Sequence, residues 1–221
     1  VMQDGGKYNQ YTVRSSDIMP AHFKVFKEVS GRPVWETITL QSQALIDRVQ
    51  QEFSPESGLV PDFVISSADG VVEAAPAHFL ESSHDGSYYY NAARVPWRLA
   101  EAAFLLEDPA SIGQLQKMAK WVLHISGSDP ANIGPGFNLD GRRLDNSDYM
   151  SMAFIGPFGL AVMTLKDQQS FVNRVFDLCT TVQQDYYEDT ISLFCLLLMS
   201  GNCWLPTPQP KFTGTGEPET D

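Results

Sequence analysis

The 221-residue chain is poor in basic residues, with 15 Lys and Arg against 27 Asp and Glu and a formal net charge of −12. A nucleic-acid-binding surface needs clustered Lys and Arg to neutralise phosphates, so this balance argues against a nucleic-acid partner. The sequence also lacks an apolar run of the roughly 20 residues that a membrane-spanning helix needs. We therefore expect a partner that is neither a nucleic acid nor a membrane.

Cysteine is scarce, and the patterns typical of metal or phosphate sites are missing. The three cysteines cannot all pair with each other, and Cys179 and Cys195 lie in apolar segments, so we expect buried thiols rather than a disulfide framework. The four histidines do not show the spacing of metal ligands. We therefore expect neither a metal nor a cofactor.

Helical periodicity is the dominant signal, and no convincing strand pattern is present. Apolar residues line one side of the predicted helix 35–49, whereas they lie all round the predicted helices 91–106 and 188–200. This alternation predicts two concentric layers of helices, with polar loops gathered at one end. The seven predicted helices cover about 21–29, 35–49, 91–106, the segment from 108 to 125, 151–165, 168–182 and 188–200.

Two long polar segments, 59–90 and 126–150, separate these helices, and loops of such length tend to be functional. Together with the helices, they carry a resemblance to a known family. The motifs that carry it are RSSDIMPAHFKVF, LVPDF, HFLESSHDGSYYYNAARVPWRLA, PANIGPGFNLDG, SMAFIGPFGLAVM and YYEDTISLFCLLLMSGNCW. In combination, over nearly all of residues 10–204, they resemble glycoside hydrolase family 8, which includes endoglucanases, lichenases, chitosanases and some xylanases.

The resemblance implies an all-α (α/α)6 barrel of six inner and six outer helices, of which about seven are present here. It also implies a secreted or periplasmic enzyme with a polysaccharide or oligosaccharide substrate. The family's general acid is a Glu in an S-E-G-type motif, which this sequence lacks. We therefore expect residues 1–205 to be the C-terminal portion of a catalytic domain, followed by a Pro-, Gly- and Thr-rich tail at 206–221. Its expected partner is the missing N-terminal half of the barrel.

The resemblance also implies the candidate catalytic residues. An inverting glycosidase needs a general acid and a general base on opposite sides of the sugar ring. In one branch of the family the base is an Asp in a Y-D-A-x-R arrangement, but Asn91 takes that place here and cannot accept a proton from water. Members with Asn use a Glu from the preceding loop, and Glu81 matches it. Asp85 is the second candidate for the base, although we favour a turn-forming role for it in Asp85-Gly86.

Arg94 follows Asn91 by one helical turn on the same face. It could bind a carboxylate or sugar hydroxyls through its guanidinium, or form a buried ion pair between helices. Asn91 itself could bind the attacking water or a sugar hydroxyl. Asp17 either binds the substrate, at a place where several relatives have an aromatic residue, or caps the following helix.

Tyrosines supply the candidate sugar-binding platforms, because sugar rings present C–H faces to aromatic rings. Tyr88 and Tyr90 lie just before Asn91, and Tyr186 and Tyr187 begin the last predicted inner helix. The tyrosine-rich loop could also pack as part of the core, and within it we favour Tyr90 over Tyr88 as a residue that lines the cleft. The tyrosines of both groups are predicted to lie at the same end of the barrel.

The leading functional prediction is an endo-acting hydrolase of a β-linked polysaccharide, either a β-glucan or chitosan, with an inverting mechanism. This chain would carry the general base and the cleft but lack the general acid. The alternatives are a carbohydrate-binding or regulatory pseudoenzyme with the same fold, and an unrelated helical toroid. Asn91 in place of Asp favours the lichenase and chitosanase branch, whereas the acidic charge decides little between these substrates.

Overall fold

The structure, a computed structural model, describes residues 6, 7 and 9–206, so the predicted tail lies outside the described residues except for its first position. Helices dominate the described part of the chain. The helices are α1 (Pro20–Ser30), α2 (Val34–Glu52), α3 (Val95–Leu105), α4 (Pro109–Ser126), α5 (Met152–Val162), α6 (Gln169–Thr181) and α7 (Tyr186–Met199). Three short strands are β1 (Thr12–Arg14), β2 (Phe63–Ser66) and β3 (Val72–Ala74).

Helix α4 shows how local sequence signals set the helix limits. The Asp108 carboxylate accepts a hydrogen bond from the Ser111 N–H at 2.8 Å, and Pro109 opens the helix, where a missing N–H costs nothing. The helix ends at Ser126 and is capped by Gly127, whose φ of 62° is a left-handed conformation that glycine adopts easily. The helix start predicted at Asp108-Pro109 is therefore confirmed.

The seven helices form two layers, as the alternation of apolar patterns predicts. The odd-numbered helices contact one another in the order α1, α3, α5 and α7. The even-numbered helices cover them, with α2 on α1, α4 on α3 and α5, and α6 on α5 and α7. In the described part of the chain, no helix combines the length and the apolar character that crossing a membrane requires.

Coverage of the inner helices is uneven. Every residue of α5 is buried, whereas α7 exposes 54% of Leu193 and 39% of Phe194. At the other end of the row, α1 exposes 79% of Val29. The helices at the two ends of the inner row thus keep apolar side chains in solvent, although α7 reads from its sequence as fully interior.

The prediction that the chain has no strands is wrong. Strands β1, β2 and β3 form an antiparallel sheet in that order, with Thr12 opposite Ile65 and Val64 opposite Ala74. Strands of three or four residues are too short to show a clear alternation of apolar and polar positions. The sheet places Arg14, at the end of β1, beside the loop that follows β3.

The cysteine prediction is confirmed. Cys179 and Cys195 are buried free thiols, and Cys203 is a half-buried free thiol. Burial raises the pKa of the Cys179 thiol to about 11, although a hydrogen bond with Ser192 acts in the opposite direction. The two buried thiols therefore behave as small apolar side chains between α5, α6 and α7.

Candidate active site

A tight turn between β3 and α3 presents Glu81. The buried Asp85 carboxylate accepts hydrogen bonds from the backbone N–H groups of Leu80 at 2.7 Å, Glu81 at 3.0 Å and Ser82 at 2.9 Å. Burial raises the pKa of Asp85, but these hydrogen bonds outweigh it, so the pKa lies below its ordinary value. The contacts agree with the turn-forming role of Asp85.

Glycine is required where this turn meets the end of the sheet. A Cβ atom added at Gly86 would lie 2.2 Å from the carbonyl oxygen of Ala75, which is closer than any real contact. Because the obstructing atom belongs to the backbone, a larger residue would have to displace the loop itself. The loop that carries Glu81 is thus fixed by the hydrogen bonds of Asp85 within the turn and by the close packing of Gly86 against the Ala75 backbone.

The Glu81 carboxylate is held by two different parts of the chain. Its Oε1 accepts a hydrogen bond from Arg14 Nη2 at 2.8 Å, and its Oε2 accepts one from Asn91 Nδ2 at 2.9 Å. The Glu81 side chain is 46% exposed, so a water molecule or a substrate can reach it. Arg14 was not among the candidates found in the sequence, because only the folded sheet brings it to Glu81.

The Asn91 side chain joins Glu81 to two further residues. Its Nδ2 also donates to Asp62 Oδ2 at 3.1 Å, and its Oδ1 accepts from Arg94 Nη2 at 2.7 Å. Glu81, Asn91 and Arg94, which the sequence singles out together, therefore form one cluster. Arg94 contacts the Asn91 amide, and its predicted contact with sugar hydroxyls stays a prediction.

Asp62 is a member of this cluster that the sequence reasoning did not identify. The residue is only 2% exposed, and its carboxylate accepts hydrogen bonds from the backbone N–H groups of Tyr89 at 3.0 Å, Asn91 at 3.1 Å and Ala92 at 2.7 Å. Burial raises its pKa to about 6, although the hydrogen bonds act in the opposite direction. The available signal is a lone carboxylate in the otherwise apolar segment 59–64, all of which is buried.

Aromatic rings continue the site beyond Asn91. The Tyr90 ring is half-buried, and its hydroxyl lies 3.1 Å from the hydroxyl of Tyr149, a residue missed at the sequence level. Tyr187 donates its hydroxyl to the Tyr90 carbonyl oxygen at 2.6 Å and thereby fixes the backbone there. Tyr149 is 50% exposed, so this aromatic cluster offers an accessible surface next to the polar one.

The prediction that Tyr88 lines the cleft is wrong. Tyr88 is fully buried, and its ring centroid lies 5.9 Å from that of Phe154 and 5.3 Å from that of Phe158. Its backbone exchanges two hydrogen bonds of 2.9 Å with Phe137 in the second long loop. Tyr88 therefore belongs to the core that joins the two loops. Tyr186 differs again, since it lies at the surface with 87% exposure.

Asp17 lies in a short 3₁₀ turn, Ser15–Asp17, directly after β1. The capping interpretation is wrong, because α1 begins at Pro20 with Met19 as its N-terminal cap. This turn packs against the 3₁₀ turn Ala92–Arg94, so Asp17 lies at the same end of the helices as Asn91. Its predicted contact with substrate stays a prediction.

The cluster has the chemical means to activate water and bind a sugar. A half-exposed carboxylate with oriented donors can accept a proton, and neighbouring tyrosine rings can contact the C–H face of a pyranose. Among residues 6, 7 and 9–206, no three or more His, Cys, Asp or Glu side chains are grouped as metal ligands would be.

Two curated proteins similar to this chain are glucanases. The chain is 35% identical over 192 residues to a beta-glucanase of Niallia circulans. The aligned region covers 86% of this chain and 46% of the relative. It is 30% identical over 209 residues to an endoglucanase of Bacillus sp. (strain KSM-330), at 94% and 44% coverage. The chain thus spans about half the length of these curated relatives. No family model matches the chain.

Solved structures extend the similarity to the fold. A beta-1,3-1,4-glucanase from Paenibacillus sp. X4 superposes with a TM-score of 0.85 and 33% identity, covering 91% of this chain and 52% of that structure. A xylobiose complex of a family 8 enzyme from Teredinibacter turnerae, at 19% identity and a TM-score of 0.68, shares the fold over 87% of this chain and 47% of that structure. The helices of this chain are part of an (α/α)6 barrel. The class that this fold and these relatives define is that of the glycoside hydrolases. Within it, the chain matches enzymes of glycoside hydrolase family 8 over about half of their length.

Proposed function

We propose that this chain is the C-terminal part of the catalytic domain of an endo-acting β-glucan hydrolase, with Glu81 as its general base. The setting of Glu81 carries the proposal. Each of its carboxylate oxygens is held by a separate donor, from Arg14 and from Asn91, while almost half of the side chain faces solvent. A base that activates water needs this combination of fixed direction and access.

The proposed mechanism is inversion of the anomeric centre. Glu81 takes a proton from a water molecule, whose oxygen attacks the anomeric carbon while a general acid protonates the leaving glycosidic oxygen. Asn91 and Arg94 hold the base side of the site, and the general acid comes from the part of the barrel that precedes this chain. Asp17, Tyr90, Tyr187 and, at the exposed rim, Tyr186 are the candidate contacts to the sugar.

A mixed-linked β-1,3-1,4-glucan is the proposed substrate, because the structure with a TM-score of 0.85 is of a beta-1,3-1,4-glucanase and the curated relatives are named beta-glucanase and endoglucanase. Chitosan is the second candidate, since a net charge of −12 attracts a polycation. We expect the complete enzyme to prefer mixed-linked glucan over chitosan, carboxymethylcellulose and xylan. Polysaccharides do not cross membranes, so we expect the enzyme to be secreted to reach its substrate.

The uncovered inner helices support the proposal that an N-terminal half completes the barrel. Leu193, Phe194 and Val29 are exposed at the two ends of the inner row, where further helices would cover them. The chain alone is therefore expected to associate or precipitate. Co-expression with the upstream segment should yield a soluble complex, whereas a soluble, monomeric chain that unfolds in one step would contradict this part of the proposal.

A carbohydrate-binding or regulatory protein without catalysis is the alternative, since the same aromatic cluster would serve binding alone. Glu81→Gln in the complete enzyme separates the two. We expect a loss of at least about a thousandfold in kcat with oligosaccharide binding retained, because the amide cannot accept the proton. Glu73→Gln, on the nearby strand β3, is the matched control and should keep wild-type activity. Wild-type kcat in Glu81→Gln would contradict the proposal.

A further inference from the structure

The Asn91 amide is saturated with hydrogen bonds in one orientation only. Its Nδ2 group has two hydrogens, which point to Asp62 Oδ2 at 3.1 Å and Glu81 Oε2 at 2.9 Å, and its Oδ1 accepts from Arg94 at 2.7 Å. If the amide were flipped by 180°, its oxygen would face the carboxylates of Asp62 and Glu81, and its NH2 group would face the guanidinium of Arg94. The three partners thus set the direction in which Asn91 donates to Glu81.

Asp62 is the most firmly fixed of these partners. Its carboxylate binds the backbone N–H groups of Tyr89, Asn91 and Ala92, so it holds Asn91 by both backbone and side chain. The residue is 2% exposed and therefore has no access to a substrate in the cleft. A buried carboxylate with four donors is expected to tolerate little movement.

The backbone of Asp62 also joins the segments that carry the other members of the cluster. Its N–H donates to the Ser87 carbonyl oxygen at 2.8 Å, in the loop that carries Glu81. Its carbonyl oxygen accepts from the Ser15 N–H at 3.0 Å, next to Arg14. Asp62 thus lies where strand β2 meets both the segment that bears Glu81 and the one that bears Arg14.

We propose that Asp62 is a positioning residue for the general base, which sets the geometry of the Glu81 carboxylate through the Asn91 amide. The inference rests on the proposed function of Glu81. A displacement of a reacting group by about 1 Å can cost about a hundredfold in rate, so a contact that fixes Glu81 from the core has a measurable effect on catalysis.

Asp62→Asn in the complete enzyme tests this inference. The oxygen of the new amide can still accept the hydrogen bonds from the Tyr89 and Ala92 N–H groups. Its NH2 group, however, would face the backbone N–H and the side-chain NH2 group of Asn91, and two donors cannot form a hydrogen bond with each other. We expect kcat to fall about 10- to 100-fold with KM changed by less than about threefold, because the base is misdirected while the cleft keeps its shape. Asp108→Asn is the matched control: it changes a carboxylate that caps α4, and it should lower the melting temperature without changing kcat.

A double-mutant cycle gives a result that a purely structural role would not produce. Glu81→Asp shortens the base so that it no longer reaches Asn91, and Asp62→Asn should then cost less than about threefold in that background. An equal cost in both backgrounds, or a wild-type kcat in Asp62→Asn, would overturn the inference while Glu81→Gln stayed inactive. Full activity of Glu81→Gln would instead overturn the proposed function, and the inference with it.

Discussion

Two carboxylates touch the same amide group of Asn91, yet their surroundings are opposite. Glu81 is 46% exposed and bound to the guanidinium of Arg14, whereas Asp62 is 2% exposed and bound by backbone N–H groups. Environment assigns the roles of paired carboxyl groups in hydrolases. The exposed carboxylate can take a proton from a water molecule in the cleft, whereas the buried one is out of reach of that water and holds other groups in place.

The largest expected effect comes from removing the buried carboxylate. Asp62→Ala leaves the donors of Tyr89, Asn91 and Ala92 without their acceptor inside the protein, and we expect a loss of about 3 kcal/mol in the free energy of unfolding. Glu81→Ala removes a partly exposed ion pair and should change it by less than about 1 kcal/mol. Chemical denaturation of both variants measures the difference. Equal losses of unfolding free energy in the two variants would contradict the assignment of a structural role to Asp62 and not to Glu81.

A smaller effect is expected where the loop that carries Glu81 passes Ala75. Gly86→Ala forces backbone atoms apart and should cost about 1–3 kcal/mol in stability, with a fall in kcat as Glu81 shifts. Gly113→Ala is the control, because no atom outside its own helix lies within 4 Å of an added Cβ. That change should stabilise α4 by up to about 1 kcal/mol. A Gly86→Ala variant with wild-type kcat and stability would show that the loop is not fixed as described.

A third effect, comparable in size to the second, is a dependence of stability on pH that belongs to Asp62. Burial raises its pKa from 3.8 to about 6. Between these values the folded protein holds a proton that the unfolded chain has released, so the stability contributed by Asp62 falls as pH rises through this window. The unfolding free energy of the wild type minus that of Asp62→Asn should therefore decrease from about pH 4 to about pH 6. An increase over the same range would contradict the buried, raised-pKa setting of Asp62.

Local and periodic features of the fold are predictable from the sequence. The cap at Asp108 fixes the start of α4, and the all-round apolar pattern identifies α3 as an inner helix. Tyr186 and Tyr187 begin α7, as expected from the sequence, two residues before the predicted range 188–200. The sheet was missed since its strands are too short for periodicity to register.

Long-range contacts account for what the sequence could not supply at the site. Glu81 and Arg14 are 67 residues apart, and Tyr90 and Tyr149 are 59 apart, so only the closed fold brings them together. Tyr88 shows that local sequence can also be ambiguous, because three adjacent tyrosines give no indication of which one faces the core. Asp62 was detectable only as a carboxylate among apolar neighbours, and this pattern does not indicate which groups donate hydrogen bonds to it.

Azide addition to the complete enzyme tests the central claim, that Glu81 is the general base, most directly. In Glu81→Ala the space of the lost carboxylate admits azide, which attacks the anomeric carbon while the glycosidic oxygen leaves with a proton from the general acid. We predict that azide restores turnover in Glu81→Ala and yields a glycosyl azide of inverted configuration, detected by mass spectrometry and NMR. Asp62→Ala should show no such rescue. Absence of the glycosyl azide from Glu81→Ala, or its equal formation by Asp62→Ala, would contradict the assignment of Glu81.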